Sequence, residues 1–184
     1  MKKIVLGVCG SLASTAMPAY VYVLKSKFKE SPISVVLTES ARYFLSEGAL
    51  AHIPGVVVVG PDPLGKIRVN HSEVVKDCGL FIVLPATGNF IGKVANGIAD
   101  DLLTTCFMAY RSPKIVFPAM NSDMLASRYV QKNIETLRSF GERVVLGGNG
   151  ISVATGESGP GALPDVREIL DNIDLFIAGE EDIS

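Results

Sequence analysis

The sequence predicts a doubly wound α/β domain: one parallel sheet, Rossmann-like or flavodoxin-like, with helices on both faces. Three observations carry this. The runs 80–84, 115–117 and 144–146 are continuously apolar. Each ends abruptly, at Pro85, Pro118 and Gly147-Gly148. Helical segments separate them, so the strands are buried on both faces and joined by crossovers.

The elements follow in order. Residues 3–8 form a first buried strand. A small-residue turn, Cys9 to Thr15, leads to a helix that Pro18 opens and that extends to about Lys29; proline near a helix start removes no intrahelical bond. Residues 33–37 and 56–59 are the second and third strands, with a helix start at 40–46 between them. Residues 61–70 are loop-like. The apolar strands 80–84, 115–117 and 144–146 complete the sheet, and a helix covers 130–137. No linker or repeat divides the chain, so residues 1–178 are read as one domain and 179–184 as a frayed acidic tail.

Composition excludes several function classes. Nearly half of the 184 residues are apolar, enough for one sizeable core. A net charge of −2 gives no footprint for nucleic acid or an anionic membrane. No apolar run spans a bilayer, and the Met1-Lys2-Lys3 start lacks a signal-peptide pattern. The three cysteines stand singly, without metal-ligand spacing, and point to a cytoplasmic protein with reduced thiols.

In such folds ligands sit beyond the carboxyl ends of the strands, which selects three segments. The Gly10-Ser11-Leu12 turn could present amides to one phosphate, or be a plain tight connection. The stretch from Pro85 through Thr87, Gly88 and Asn89 to Asp101 sets small residues beside amides, as a flat heteroaromatic ligand would require; helix capping is the other reading. Asn121, after Pro118-Ala119-Met120, either caps the next helix or binds a substrate carboxylate. His71 follows Asn70, and a lone histidine is more often structural; His52 is read as structural.

Together these segments resemble the homo-oligomeric flavin-containing cysteine decarboxylases. Pro85-Ala86-Thr87-Gly88-Asn89 is similar to that family's PASANT motif, and the residues from Pro118 to Met124 to its PxMNxxMW motif. Asn70-His71 sits at the family's spacing before PASANT. Gly88, Phe90 and Leu125 depart from the pattern. The resemblance implies flavin mononucleotide (FMN), held by Gly10, Ser11, Leu12, Thr38, Ser40, Phe44, Thr87, Gly88, Asn89 and Ala119. It implies binding between protomers of a homotrimer or a dodecamer of trimers. It makes His71 and Asn121 catalytic, and places Asn121, Met124, Ala154 and Thr155 on the substrate.

The stretch from Ser152 to Gly161 resembles the ACGxxGPG segment of the coenzyme A branch, where a cysteine completes reduction of the ene-thiol. Thr155 stands in its place, and a hydroxyl cannot act as a redox thiol. The resemblance therefore implies a peptidyl-cysteine decarboxylase that acts on a precursor peptide ending in cysteine and stops at the aminoenethiol. The alternatives are phosphopantothenoylcysteine decarboxylase and a non-catalytic flavin-binding regulatory subunit.

Overall fold

The structure, a computed structural model, describes residues 2–60, 70–151 and 158–181. β1 (Lys3–Val8) leads into a 3-10 turn (Leu12–Ala16) that continues directly as α1 (Met17–Lys27). β2 (Ile33–Leu37), a second 3-10 turn (Glu39–Tyr43), α2 (Glu47–Ala51) and β3 (Val56–Val59) follow. Next come α3 (His71–Val75), β4 (Cys78–Ala86), α4 (Gly88–Ala95), α5 (Leu102–Ala109) and β5 (Ile115–Pro118). The chain continues through α6 (Ser122–Ala126), α7 (Arg128–Ser139), β6 (Arg143–Val144), β7 (Asn149–Ile151), β8 (Ser158–Pro160) and α8 (Val166–Glu181).

Six parallel strands form the main sheet in the order β3-β2-β1-β4-β5-β6. This is the Rossmann-like arrangement expected from the sequence. The strand order reverses between β1 and β4, which opens a crevice at their carboxyl ends. The continuous apolar strands are explained by their two buried faces. Leu6, Ile82, Leu84 and Phe117 pack against α1 and α8 through Met17, Leu24, Ile169 and Ile173. Val5, Phe81 and Val83 face the other way, against Phe90, Leu103 and Phe107 of α4 and α5 and Ile134 of α7. A Cβ at Gly7 would collide with the Leu103 side chain, so the glycine lets α5 sit directly on β1.

Several boundaries differ from the sequence reading. α1 stops at Lys27 because Phe28 leaves the helical region at φ −103° and ψ 57°. The helix start expected at 40–46 is a 3-10 turn, and the strand expected at 144–146 is Arg143–Val144. β7 and β8 form a separate antiparallel hairpin, and α8 runs past Gly179 to Glu181 where a frayed tail was expected.

Candidate functional site

The turn after β1 is drawn tight by its own residues. Ser14 Oγ accepts the Ser11 N–H at 3.2 Å and donates to the Cys9 carbonyl at 2.6 Å. Gly10 is wedged against the turn after β2: a Cβ there would collide with the backbone of Ser40. That second turn is ordered by Thr38, whose hydroxyl accepts the Ala41 N–H at 3.3 Å and lies 3.2 Å from Ser40 Oγ.

Two cavities flank this turn at the carboxyl ends of the strands. The first, of about 470 Å³, is walled by Ser11, Leu12, Ala119, Met120, Asn121 and Ser122, with the segment Gly159 to Leu163 closing one side. The second, of about 380 Å³, is walled by Cys9, Thr38, Ser40, Thr87 and Asn89, and also by Tyr43, Lys93, Asp100 and Asp101. Both fall in the range of small-ligand sites, about 300 to 1,000 Å³.

The residues singled out by the sequence divide between them. Ser11, Leu12, Ala119 and Asn121 line the first cavity, and Thr38, Ser40, Thr87 and Asn89 the second. Gly10 lies between the two. Gly88 leaves open a space that a Cβ would share with Met124 Cε at 3.3 Å and Met120 Sδ at 3.8 Å. Met124 is half exposed and lines neither cavity. Phe44, expected against the ring, is 40% exposed and lines neither; its neighbour Tyr43, 84% exposed, borders the second. Ala154 and Thr155 lie outside the described residues.

Asn121 meets the first of its two readings, as the cap of α6. Its carbonyl oxygen accepts the Met124 N–H at 2.8 Å and caps α6, which leaves the amide nitrogen unbonded among the described residues. A carboxylate needs such a donor. Thr87 likewise caps α4 by accepting the Phe90 N–H at 3.3 Å.

His71 opens α3, and Asn70 caps that helix by accepting the Ser72 N–H at 3.1 Å. The Cys106 thiol of α5 lies 4.0 Å from the His71 carbonyl. His71 lines neither cavity of its own chain.

The residues present fit a phosphate-bearing cofactor by one direct observation. Ser11 Oγ is buried, and among the described residues no acceptor takes its hydroxyl proton. An orphaned buried hydroxyl costs about 1 to 3 kcal/mol, which a phosphate oxygen accepting its proton would remove.

Sequence reasoning missed the charged wall of the second cavity. Lys93 Nζ lies 2.8 Å from Asp100 and 3.8 Å from Asp101. The hydrogen bond to Asp100 holds the Lys93 ammonium above its ordinary pKa, and the same bond holds the Asp100 carboxyl below its own. The signal was available, since Asn89 and Lys93 are four apart on one helical face.

Cys9, in the wall of the second cavity, is 1% exposed; burial pushes its thiol up to about 12, and burial does the same to Cys106. Below about pH 8.5 both the folded and unfolded states keep these protons. As pH rises through 9 the unfolded chain ionises first, so stability present at neutral pH is lost toward 12. The expected loss is roughly 1 to 1.5 kcal/mol per buried thiol at pH 10. Urea unfolding of the reduced protein at pH 8 and pH 10 measures it. A Cys9→Ala/Cys106→Ala variant should show a shallower decline; an unchanged slope would refute this account.

Comparison with known proteins bears on the same features. A family model described as Flavoprotein matches residues 1–178. The coenzyme A biosynthesis bifunctional protein CoaBC of Escherichia coli (strain K12) is 36% identical over 172 residues, 92% of this chain. The chain spans only 42% of that relative's length. Mersacidin decarboxylase of Bacillus sp. (strain HIL-Y85/54728) is 35% identical over 144 residues, covering 78% of this chain and 73% of the relative. The crystal structure of the FMN-dependent cysteine decarboxylase SpaF is 27% identical, with a TM-score of 0.78 over 97% of this chain and 98% of that one. The parallel sheet, the crevice at its switch point and the match along 1–178 agree, and the chain belongs to the Flavoprotein family.

Proposed function

We propose that this protein is an FMN-dependent oxidative decarboxylase of the C-terminal cysteine of a peptide. The observation that carries the reading is the first cavity, where an orphaned hydroxyl (Ser11) and an amide with unused donors (Asn121) share one chamber. The pair suits a phosphate at one end and a carboxylate at the other.

Ser11, with the Gly10 and Leu12 backbone, would hold the phosphate. Thr38, Ser40, Thr87, Gly88, Asn89 and Ala119 would contact the rest of the cofactor. Bound FMN would supply a two-electron acceptor, chemistry the side chains lack. The Asn121 amide would orient the substrate carboxylate. A free thiol is mostly protonated at neutral pH, and imidazole is the side chain best suited to accept a proton there. His71 would take the proton, so that C–S becomes C=S with loss of two hydrogens overall. The C–CO₂ bond then breaks, and its electron pair passes toward sulfur. Because His71 lies outside both cavities of its own chain, it would serve a neighbouring copy in a homotrimer or a dodecamer of trimers.

A peptide ending in cysteine, incubated with the yellow protein, should lose about 46 Da: about 44 as carbon dioxide and about 2 as hydrogen. No loss from several such peptides would refute the reading. One observation favours a second reading, phosphopantothenoylcysteine decarboxylase: the 36% identity to CoaBC covers 92% of this chain. That reaction removes carbon dioxide alone, so the product mass separates the two.

A further inference from the structure

The hairpin of β7 and β8 returns over the first cavity and is fastened at two points that bracket Asn121. Ser122 Oγ donates to the Pro160 carbonyl at 2.9 Å. The Met120 N–H donates to the Gly161 carbonyl at 3.0 Å. The approach is close enough to require glycine on the hairpin side. A Cβ at Gly159 would collide with Ser122 Oγ, and one at Gly161, where φ is +109°, with the Met120 carbonyl. Pro160 has no N–H, so only its carbonyl is available at this point of the strand. Ser122, Gly159, Pro160 and Gly161 all line the cavity beside Asn121.

We infer that Ser122 is a positioning residue: its hydroxyl pins β8 against the Asn121 segment and thereby fixes the width of the chamber that receives the end of the peptide. This rests on the reading of the chamber as a substrate site. Ser122 touches neither the orphaned hydroxyl of Ser11 nor the capping bond of Asn121, so its loss should widen the chamber without emptying it of cofactor.

The test is Ser122→Ala in the flavin-loaded protein, read in two ways. With a cysteine-terminated peptide, KM should rise by about 3- to 10-fold, the effect of one lost hydrogen bond. The kcat should stay within about twofold and flavin absorbance per chain should not change; Ser122→Thr, which keeps a hydroxyl, should restore KM. Independently of turnover, hydrogen exchange of the Met120 amide should quicken by a similar factor while β1 amides do not change. Faster exchange with an unaltered KM would reduce Ser122 to a structural fastener and overturn the inference. Unaltered exchange would overturn it whatever the kinetics. If the wild-type protein decarboxylates no peptide, the proposed function falls on its own, and the exchange result alone decides whether Ser122 holds the hairpin.

Discussion

Replacing His71 with asparagine is expected to lower turnover of a cysteine-terminated peptide by about 10²- to 10⁴-fold, the usual worth of a positioned general base. The flavin should remain bound: the residues assigned to hold it do not include His71, which lines neither cavity of its own chain. The same placement leads to a sharper expectation. His71→Asn and Asn121→Ala subunits, each nearly inactive alone, should regain turnover when they are unfolded together and refolded as mixed oligomers. Some chambers would then receive an intact histidine from one copy and an intact Asn121 from another. A mixture no more active than its parents would mean that His71 is not supplied across a subunit boundary. A His71→Asn protein with normal turnover would remove the base from the mechanism altogether.

The second large effect concerns stability. Lys114 and Glu142 form an ion pair at 2.8 Å with side-chain exposures of 8% and 7%. Glu142 also accepts the Lys114 backbone N–H at 2.6 Å, and the ammonium lies 4.8 Å from the Phe107 ring centre. The pair ties the residue before β5 to the residue before β6, against α5. Glu142→Gln should cost about 3 to 5 kcal/mol, because it strands a buried ammonium. A Lys114→Met/Glu142→Leu variant removes both charges and should recover most of that loss, since apolar replacements of buried pairs are often neutral or stabilising. Denaturant midpoints of the three proteins decide it. A single variant that loses under about 1 kcal/mol would mean that water reaches Lys114 after all.

How much was legible in the sequence depended on whether the signal was local. β4 and β5 could be read because both faces are buried, which makes their residues continuously apolar and their ends sharp at proline. The hairpin could not: Asn149-Gly150-Ile151 has no alternation, and it is held by partners far away in sequence, at Met120 and Ser122. α8 carried a readable pattern, with Ile169, Ile173 and Phe176 on one face, but its acidic end obscured it. Among site residues, Ser11, Thr87 and Asn121 were accessible because each closes a strand or opens a helix. Tyr43 and Asp101 join the second cavity only through tertiary packing. His71 was selected by resemblance, and a single chain offers no geometry that joins it to either chamber.

Cys9, Gly10 and Ser11 are consecutive, yet the first walls one chamber and the last walls the other. The glycine between them passes so close to Ser40 that a Cβ there would collide with it. This tripeptide therefore acts as a shared partition: a change in its path would deform both compartments together. Divergence of ligand preference must instead be written on the outer walls, around Tyr43 on one side and the Gly159–Gly161 arm on the other, where one compartment can be recut while its neighbour is left alone.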